Sequence, residues 1–453
     1  MGKVILFSPV GGTDPISNSN CQDGAMIHTC RVYKPDKVYM YMSRWVLERE
    51  TEDNRYTYCL NKLYENLDKP LDYEIIERPE LNEVQDFDFF YDDYKTEITR
   101  ILSTMSSDDR LLLNTSSGTP AMKSALVVLA TVGDIDGSLI QVTTPERTIN
   151  KHVHENYDVK TLWELNPDND DGFVNRCKII ECPSLYQLKN EELLKKLIRS
   201  YDYYAALEVI KMMSDNYTDG YNHLVEYAYK RMTLDYLGVC RLEREYGIPS
   251  FIPVKDDHAR PVVEYALSLF AKVSSGNYAD FIRGMTPLIL EVFVLNVEKI
   301  TDVNPYDMCD YDDKRKSYVW SEEKLTKNPK TIGWIELWAK KFEGGFKAGI
   351  INSQSLFYLI SEYGQEQEKN VASSLRWVEV AVRNIAAHQI KAITNESIKK
   401  DVGKTCENIV GLFKAMFKYS RIDSSSKVWS SYDDMNDYII EQINHSHDVS
   451  PDA

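Results

Sequence analysis

Two spacings of apolar residues divide the chain. Over the first 145 residues they come in short, almost unbroken runs: KVILFSPV (3–10), KVYMYMS (37–43), DYEIIERP (72–79), RLLLNTSS (110–117) and GSLIQVTTP (137–145). Runs this short and this apolar predict strands covered on both faces. The stretches between them, near 22–33, 45–67, 91–106 and 119–132, have the three- and four-residue spacing of helices. The alternation of strand and helix predicts a largely parallel, Rossmann-like sheet. A further strand, CKIIECP (177–183), is expected to return to it after the polar loop NPDNDDG (166–172).

From Glu191 onward the pattern is helical throughout. ELLKKLIRSYDYYAALEVIKMM, HLVEYAYKRMTLDYL and PVVEYALSLFAKV predict a small helical domain. A third region starts near Thr286 with TPLILEVFVLNVEKI and continues through IGWIELWAKKF, SLFYLISEYG, a helix over 371–390 and IKKDVGKTCENIVGLFKAMFKY. Within it, DVNPYDMCDYDDKRKSYVW is polar and reads as a surface insertion. The predicted fold class is therefore α/β followed by all-α, with domains at 1–185, 186–285 and 286–453.

Composition narrows the function. With 43% hydrophobic and 27% charged residues in 453, the chain can bury a sizeable core. A net charge of -17 argues against a protein that coats nucleic acid nonspecifically, although a small basic cleft is compatible with it. The eight cysteines lack CxxC or CxxH spacing, so no metal site is expected and free thiols in a reducing cytoplasm are. No apolar run approaches the ~20 residues of a membrane span, and KVILF is too short for a signal peptide. Only HSHDVSPDA, at the end, reads as a frayed tail.

Two loops stand where an open α/β sheet binds ligands, beyond the carboxyl ends of strands. These are VGGTDPISNSN (10–20) and NTSSGTPAMKSAL (114–126). Small residues let the backbone approach a ligand there, Ser116, Ser117 and Thr119 carry hydroxyls, and the start of a helix favours an anion such as phosphate. Neither loop is a common nucleotide motif: Met122 stands where a Walker loop has glycine before Lys123, and GGTDP is not GxGxxG. Plain strand-to-helix turns would look similar, but two of them at adjacent strand ends favour a ligand crevice.

The segments GGTDPIS, DGAMIHTCRVYKPDKVYMYMS and NTSSGTPAMKSAL resemble the CARF sensor domain of the CRISPR type III-associated CARF–HEPN ribonucleases. Arg383-Asn384-Ile-Ala-Ala-His388 is similar to the R-N-x-x-x-H string of their HEPN domain. Both appear in the family's order, separated by a helical linker. The resemblance implies a homodimer whose CARF domains bind a cyclic oligoadenylate made by the type III CRISPR effector complex, with cyclic hexaadenylate favoured and cyclic tetraadenylate as the alternative. It implies single-stranded RNA as substrate, cut at a composite HEPN site without a cofactor, and no role for DNA or membranes. Carried over by motif position, Arg383, Asn384 and His388 are the catalytic residues. Gly12, Thr13, Asp14, Ser116, Ser117, Gly118, Thr119 and Lys123 are the ligand residues. His28 lies in a matching segment, but beside Met26, Ile27 and Cys30 it reads as a packed histidine. Some sensors of the family also cleave their activator slowly, an added expectation here.

The residues alone support a paired site. At 100° per residue, Val371, Leu375, Val378, Val382 and Ile385 share one side of the helix. Trp377, Val380, Asn384, Ala387 and His388 share the other, so a symmetric partner helix is the simplest cover. RNA brings its own nucleophile, the 2′-OH. A histidine can move the proton and an arginine can face the phosphate. Taken alone, Arg383 could instead pair with Glu379, four residues earlier. A non-catalytic nucleotide-sensing regulator would keep the glycine turns without needing His388, and a HEPN antitoxin-like protein would not need Arg383 and His388 intact.

Overall fold

The structure is a computed structural model that describes residues 2–133, 135–145, 157–213, 218–343, 345–388, 392–423 and 425–446, without the side chains of 183 and 383–388. The chain divides into two compact units, Met1–Lys189 and Asn190–Ala453.

Unit 1 is built on six strands: β1 (Val4–Pro9), β2 (Lys37–Ser43), β3 (Tyr73–Arg78), β4 (Arg110–Asn114), β5 (Ser138–Val142) and β6 (Cys177–Ile180). Their order is β3-β2-β1-β4-β5-β6. All neighbours are parallel except β6, which runs antiparallel to β5. Five helices lie between the strands along the chain: α1 (Ala25–Tyr33), α2 (Arg44–Asp53), α3 (Arg55–Asn66), α4 (Phe87–Leu102) and α5 (Pro120–Thr131). Side chains alternate across the pleat. Leu6, Val38, Met40 and Leu112 pack with α1 and α3, whereas Ile5, Phe7, Tyr39, Tyr41 and Leu113 pack with α4 and α5. The expected α/β sandwich, covered on both faces, is the fold observed.

Several elements differ from the sequence reading. The single helix expected over 45–67 is two, because Asn54 takes a left-handed backbone (φ 53) that asparagine tolerates better than most residues. A short helix, α6 (Val159–Glu164), went unpredicted; it buries Val159, Leu162 and Trp163 against the α1–α3 face. Six residues are too few for apolar periodicity to show.

Unit 2 is helical with one continuous core running from Leu194 to Ile443. The 192–213 stretch, read as one pattern, breaks at Tyr201 (φ 60). Asp202 then caps a new helix, Tyr203–Met212, by accepting from the Ala205 amide at 3.1 Å. Thr286 lies inside a 24-residue helix, Tyr278–Thr301, that continues through Pro287. The polar 302–320 segment is more than a surface insertion. It forms an antiparallel hairpin, β7 (Cys309–Asp312) and β8 (Ser317–Trp320), whose Trp320 is buried against Trp334 and Trp338. Its polar residues are the solvent side of the hairpin, and the one inward tryptophan is what anchors it. Arg231 is fully buried, bidentate to Glu264 at 2.8 and 3.0 Å, and reaches Ser431 near the far end of the chain. Among the described residues no helix is long and apolar enough to cross a membrane.

Candidate ligand and catalytic sites

The two glycine loops of unit 1 meet backbone to backbone. A Cβ on Gly11 would lie 2.5 Å from the Gly118 nitrogen, so only glycine allows this approach. Gly118 itself has φ +88, a conformation in which a side chain is strained. Thr119 then caps α5: its hydroxyl accepts from the Met122 amide at 3.4 Å and donates to the Val84 carbonyl at 2.7 Å.

Asp14 is buried and fastens the first loop. Its carboxylate accepts from the Gly11 amide at 2.9 Å and the Met26 amide at 3.0 Å. Burial pushes its pKa up, against the pull of those two amides, a Ser117 hydrogen bond and the charge of Lys123. Burial likewise lowers the pKa of Lys123, with Asp14 opposing. Ser117 is buried and accepts from Asn114 at 3.0 Å, while Ser116 accepts from the Val142 amide at 2.7 Å. These side chains therefore hold the crevice in shape from inside.

A cavity of about 600 Å³ opens beyond the carboxyl ends of β1 to β4, the switch point at which strand order reverses. Gly12, Gly118 and Thr119 line it; Thr13, Asp14, Ser116, Ser117 and Lys123 do not. Its remaining wall comes from residues that the sequence reading missed, chiefly Ser43, Arg44, Trp45 and Glu48 at the start of α2, and Leu81 and Asn82 after β3. The available signal was their position directly after two parallel strands.

His28 is fully buried, as a packed histidine should be. Its Nε2 accepts from the Arg176 amide at 3.0 Å, and its Nδ1 lies 3.7 and 3.9 Å from the Asp23 and Asp168 carboxylates. Among the described residues these three side chains form a group with the spacing of a metal site. Asp23 is already held by Arg31 at 2.6 and 3.0 Å and by Asn166 at 2.6 Å, and Asp168 by Arg176 at 3.0 Å. With two guanidinium groups in place, the cluster is a closed ion-pair network.

In unit 2 the helix Glu366–His388 carries the R-N-x-x-x-H string on its last turns. Leu375, Val378 and Val382 are buried on one side, as the stripe predicted, together with Ala372, which it did not include; Val371 is half-buried. On the other side Trp377 is 63% and Val380 49% exposed, so that apolar face is uncovered. The side chains of Arg383, Asn384, Ile385, Ala387 and His388 lie outside the described residues. One turn earlier, Glu379 is buried, accepts from the Ser353 hydroxyl at 2.7 and 2.9 Å and pairs with Arg376.

Comparison with known proteins agrees with both halves. A Csm6 CARF domain model matches residues 72–177, a Csm6 6H domain model 180–232, and a Csm6 HEPN domain model 251–440. The CRISPR system endoribonuclease Csm6 of Mycobacterium tuberculosis is 29% identical over 97% of this chain and 99% of its own length. The Csm6′ endoribonuclease of Streptococcus thermophilus is 30% identical over 47% of this chain and 53% of its own. The structure of Enterococcus italicus Csm6 bound to cyclic hexa-2′-fluoro-hexa-dAMP covers 97% of this chain and 100% of its own, with a TM-score of 0.65 at 16% identity, which establishes a shared fold. With CARF, 6H and HEPN domains matched in that order along one chain, this protein belongs to the Csm6 family of CRISPR CARF–HEPN ribonucleases.

Proposed function

We propose that the protein is a homodimeric, metal-independent endoribonuclease of type III CRISPR defence, acting in the cytoplasm and switched on by a cyclic oligoadenylate from the effector complex. In this reading residues 1–185 sense the ring, 186–285 link, and 286–453 cut single-stranded RNA. The observation that carries it is the ordered match of all three domains, joined to an R-N-x-x-x-H string on a helix whose outer face is apolar and exposed.

The chemistry follows from the residue types. The RNA 2′-OH attacks the adjacent phosphate, leaving a 2′,3′-cyclic phosphate and a 5′-hydroxyl. His388 moves a proton to or from the reacting oxygens. Arg383 faces the charge that builds on the pentavalent phosphate, and Asn384 orients the imidazole or a phosphate oxygen. Two copies of this set meet across a twofold axis. One ring binds per dimer at the paired 10–14 and 116–123 loops, with Gly12, Thr13, Asp14, Ser116, Ser117, Gly118, Thr119 and Lys123 forming or supporting the contact. Cyclic hexaadenylate is the favoured ring and cyclic tetraadenylate the alternative; slow cleavage of the ring within the CARF domain belongs to the same reading. A ~100-fold activation requires the ring to prefer the active state by about 2.7 kcal/mol.

The test is cleavage of a fluorescent single-stranded RNA by purified protein, with and without cyclic hexaadenylate and with EDTA. Ring-dependent cleavage that survives EDTA, and that falls at least ~100-fold in His388→Ala, supports the reading. A metal requirement, or wild-type rates in the variant, overturns the mechanism.

A further inference from the structure

The cavity of unit 1 has a wall that phosphate binding leaves without a task. Leu81 and Met122 are buried among its lining residues and give it an apolar floor. At its rim stands Trp45, 37% exposed, with the Arg49 guanidinium 3.7 Å from its ring centroid. Beside it Arg44 pairs with Glu48 at 3.1 Å and donates from Nη1 to the Asn82 Oδ1 at 3.3 Å. Asn82 is exposed. An aromatic ring and apolar side chains in the wall do nothing for an anion. They suit a flat heterocycle, which stacks on the ring and keeps its edge free for hydrogen bonds.

The carboxamide sharpens the class. Asn82 offers the donors of its amide NH2 and an oxygen with a second lone pair still to use beyond the Arg44 contact. Adenine presents a donor, its 6-amino group, next to a ring-nitrogen acceptor, and a carboxamide matches both at once. Hypoxanthine places a carbonyl where adenine has the amino group, so the same carboxamide would meet acceptor with acceptor. The Arg49 guanidinium on the indole favours one orientation of Trp45, which lowers the ordering cost of stacking.

We propose that Trp45 and Asn82 form the base-reading subsite of this cavity: Trp45 stacks one adenine of the ring and Asn82 reads its edge, which makes the sensor selective for adenine. The subsite rests on the reading of unit 1 as an oligoadenylate sensor.

The experiment is calorimetric titration of the full chain with cyclic hexaadenylate and with cyclic hexainosinate, for wild type, Trp45→Ala, Trp45→Phe and Asn82→Ala. Thermal unfolding checks that each variant is folded; Trp45→Phe keeps a stacking surface should the alanine variant be unstable. The wild type should prefer the adenine ring by about tenfold or more. Trp45→Ala should weaken both rings by about tenfold or more, with Trp45→Phe retaining most of the affinity. Asn82→Ala should lose the preference for adenine while holding its affinity for the inosine ring. If wild type binds the adenine ring and both alanine variants match it, the subsite is wrong and the sensor reading stands. If wild type binds neither ring, the sensor reading falls and takes the subsite with it.

Discussion

Arg176 gathers much of the polar interior of the CARF domain around itself. It donates to Asp168 at 3.0 Å, its amide bonds His28, and Asp168 in turn accepts from the Asp23 amide at 2.9 Å. Burial alone would raise the Asp168 pKa, but the His28 ring beside it, the Asp23 amide and the Arg176 charge outweigh it and hold the carboxyl below its ordinary range. A carboxylate whose pKa is depressed on folding contributes stability above the unfolded value of about 3.9, and that contribution is lost as pH falls through the folded value. The titratable and charged groups packed around it are Asp23, Arg31, His28 and Arg176. Asp168→Asn should therefore unfold with about 2 kcal/mol less stability at pH 7, and the gap to wild type should close as pH is taken below about 4. Urea unfolding at pH 7, 5 and 3.5 measures this, and a gap independent of pH would remove Asp168 from the network's charge balance. The sequence showed His28 to be a packed residue from its apolar neighbours. It could not show the partners, because Asp168 and Arg176 lie about 140 positions away.

The strand-to-helix loops are where single residues set the geometry of an element. Gly11 and Gly118 pack main chain on main chain, which brings the ends of β1 and β4 together at the mouth of the cavity. Gly11→Ala puts a methyl group 2.5 Å from the Gly118 nitrogen, and a backbone atom cannot step aside as a side chain would. The expected cost is about 1–3 kcal/mol of stability, with affinity for cyclic hexaadenylate reduced about tenfold or more as the loops part. Gly172→Ala is the control, since nothing lies within 4 Å of its added carbon. Urea unfolding and calorimetry on both variants decide this; equal behaviour of the two would mean that the loops accommodate the methyl group. Elsewhere the same local logic explains the helix breaks. Asn54 and Tyr201 take left-handed backbones within stretches whose apolar spacing runs on undisturbed. Periodicity reports which side of a helix is covered and is blind to one residue that turns the chain.

At the scale of the molecule, the uncovered face of the Glu366–His388 helix is the surface on which the proposed dimer would rest. Trp377 and Val380 are too exposed to contribute to the fold of one chain, and large exposed aromatics at an interface centre commonly contribute 2 kcal/mol or more. Trp377→Glu should leave the monomer folded, weaken the dimer at least about 30-fold and abolish ring-activated RNA cleavage. Sedimentation at submicromolar concentration together with the cleavage assay tests this. A variant that stays dimeric and active would place the interface elsewhere. What the sequence determined by itself were properties carried by neighbours along the chain. Runs such as KVILFSPV and KVYMYMS specified buried parallel strands, and the 3.6-residue stripe through Leu375, Val378 and Val382 specified the buried side of its helix. The order of its motifs specified the family. The tertiary structure decided what depends on groups distant in sequence. It turned Asp14, Ser116 and Ser117 inward as supports, because buried polar groups must find partners. It brought Trp45 and Asn82, from the ends of two different strands, to one cavity. It also folded 302–320 into a hairpin around Trp320, because one inward ring among polar residues acquires meaning only when Trp334 and Trp338 arrive to meet it.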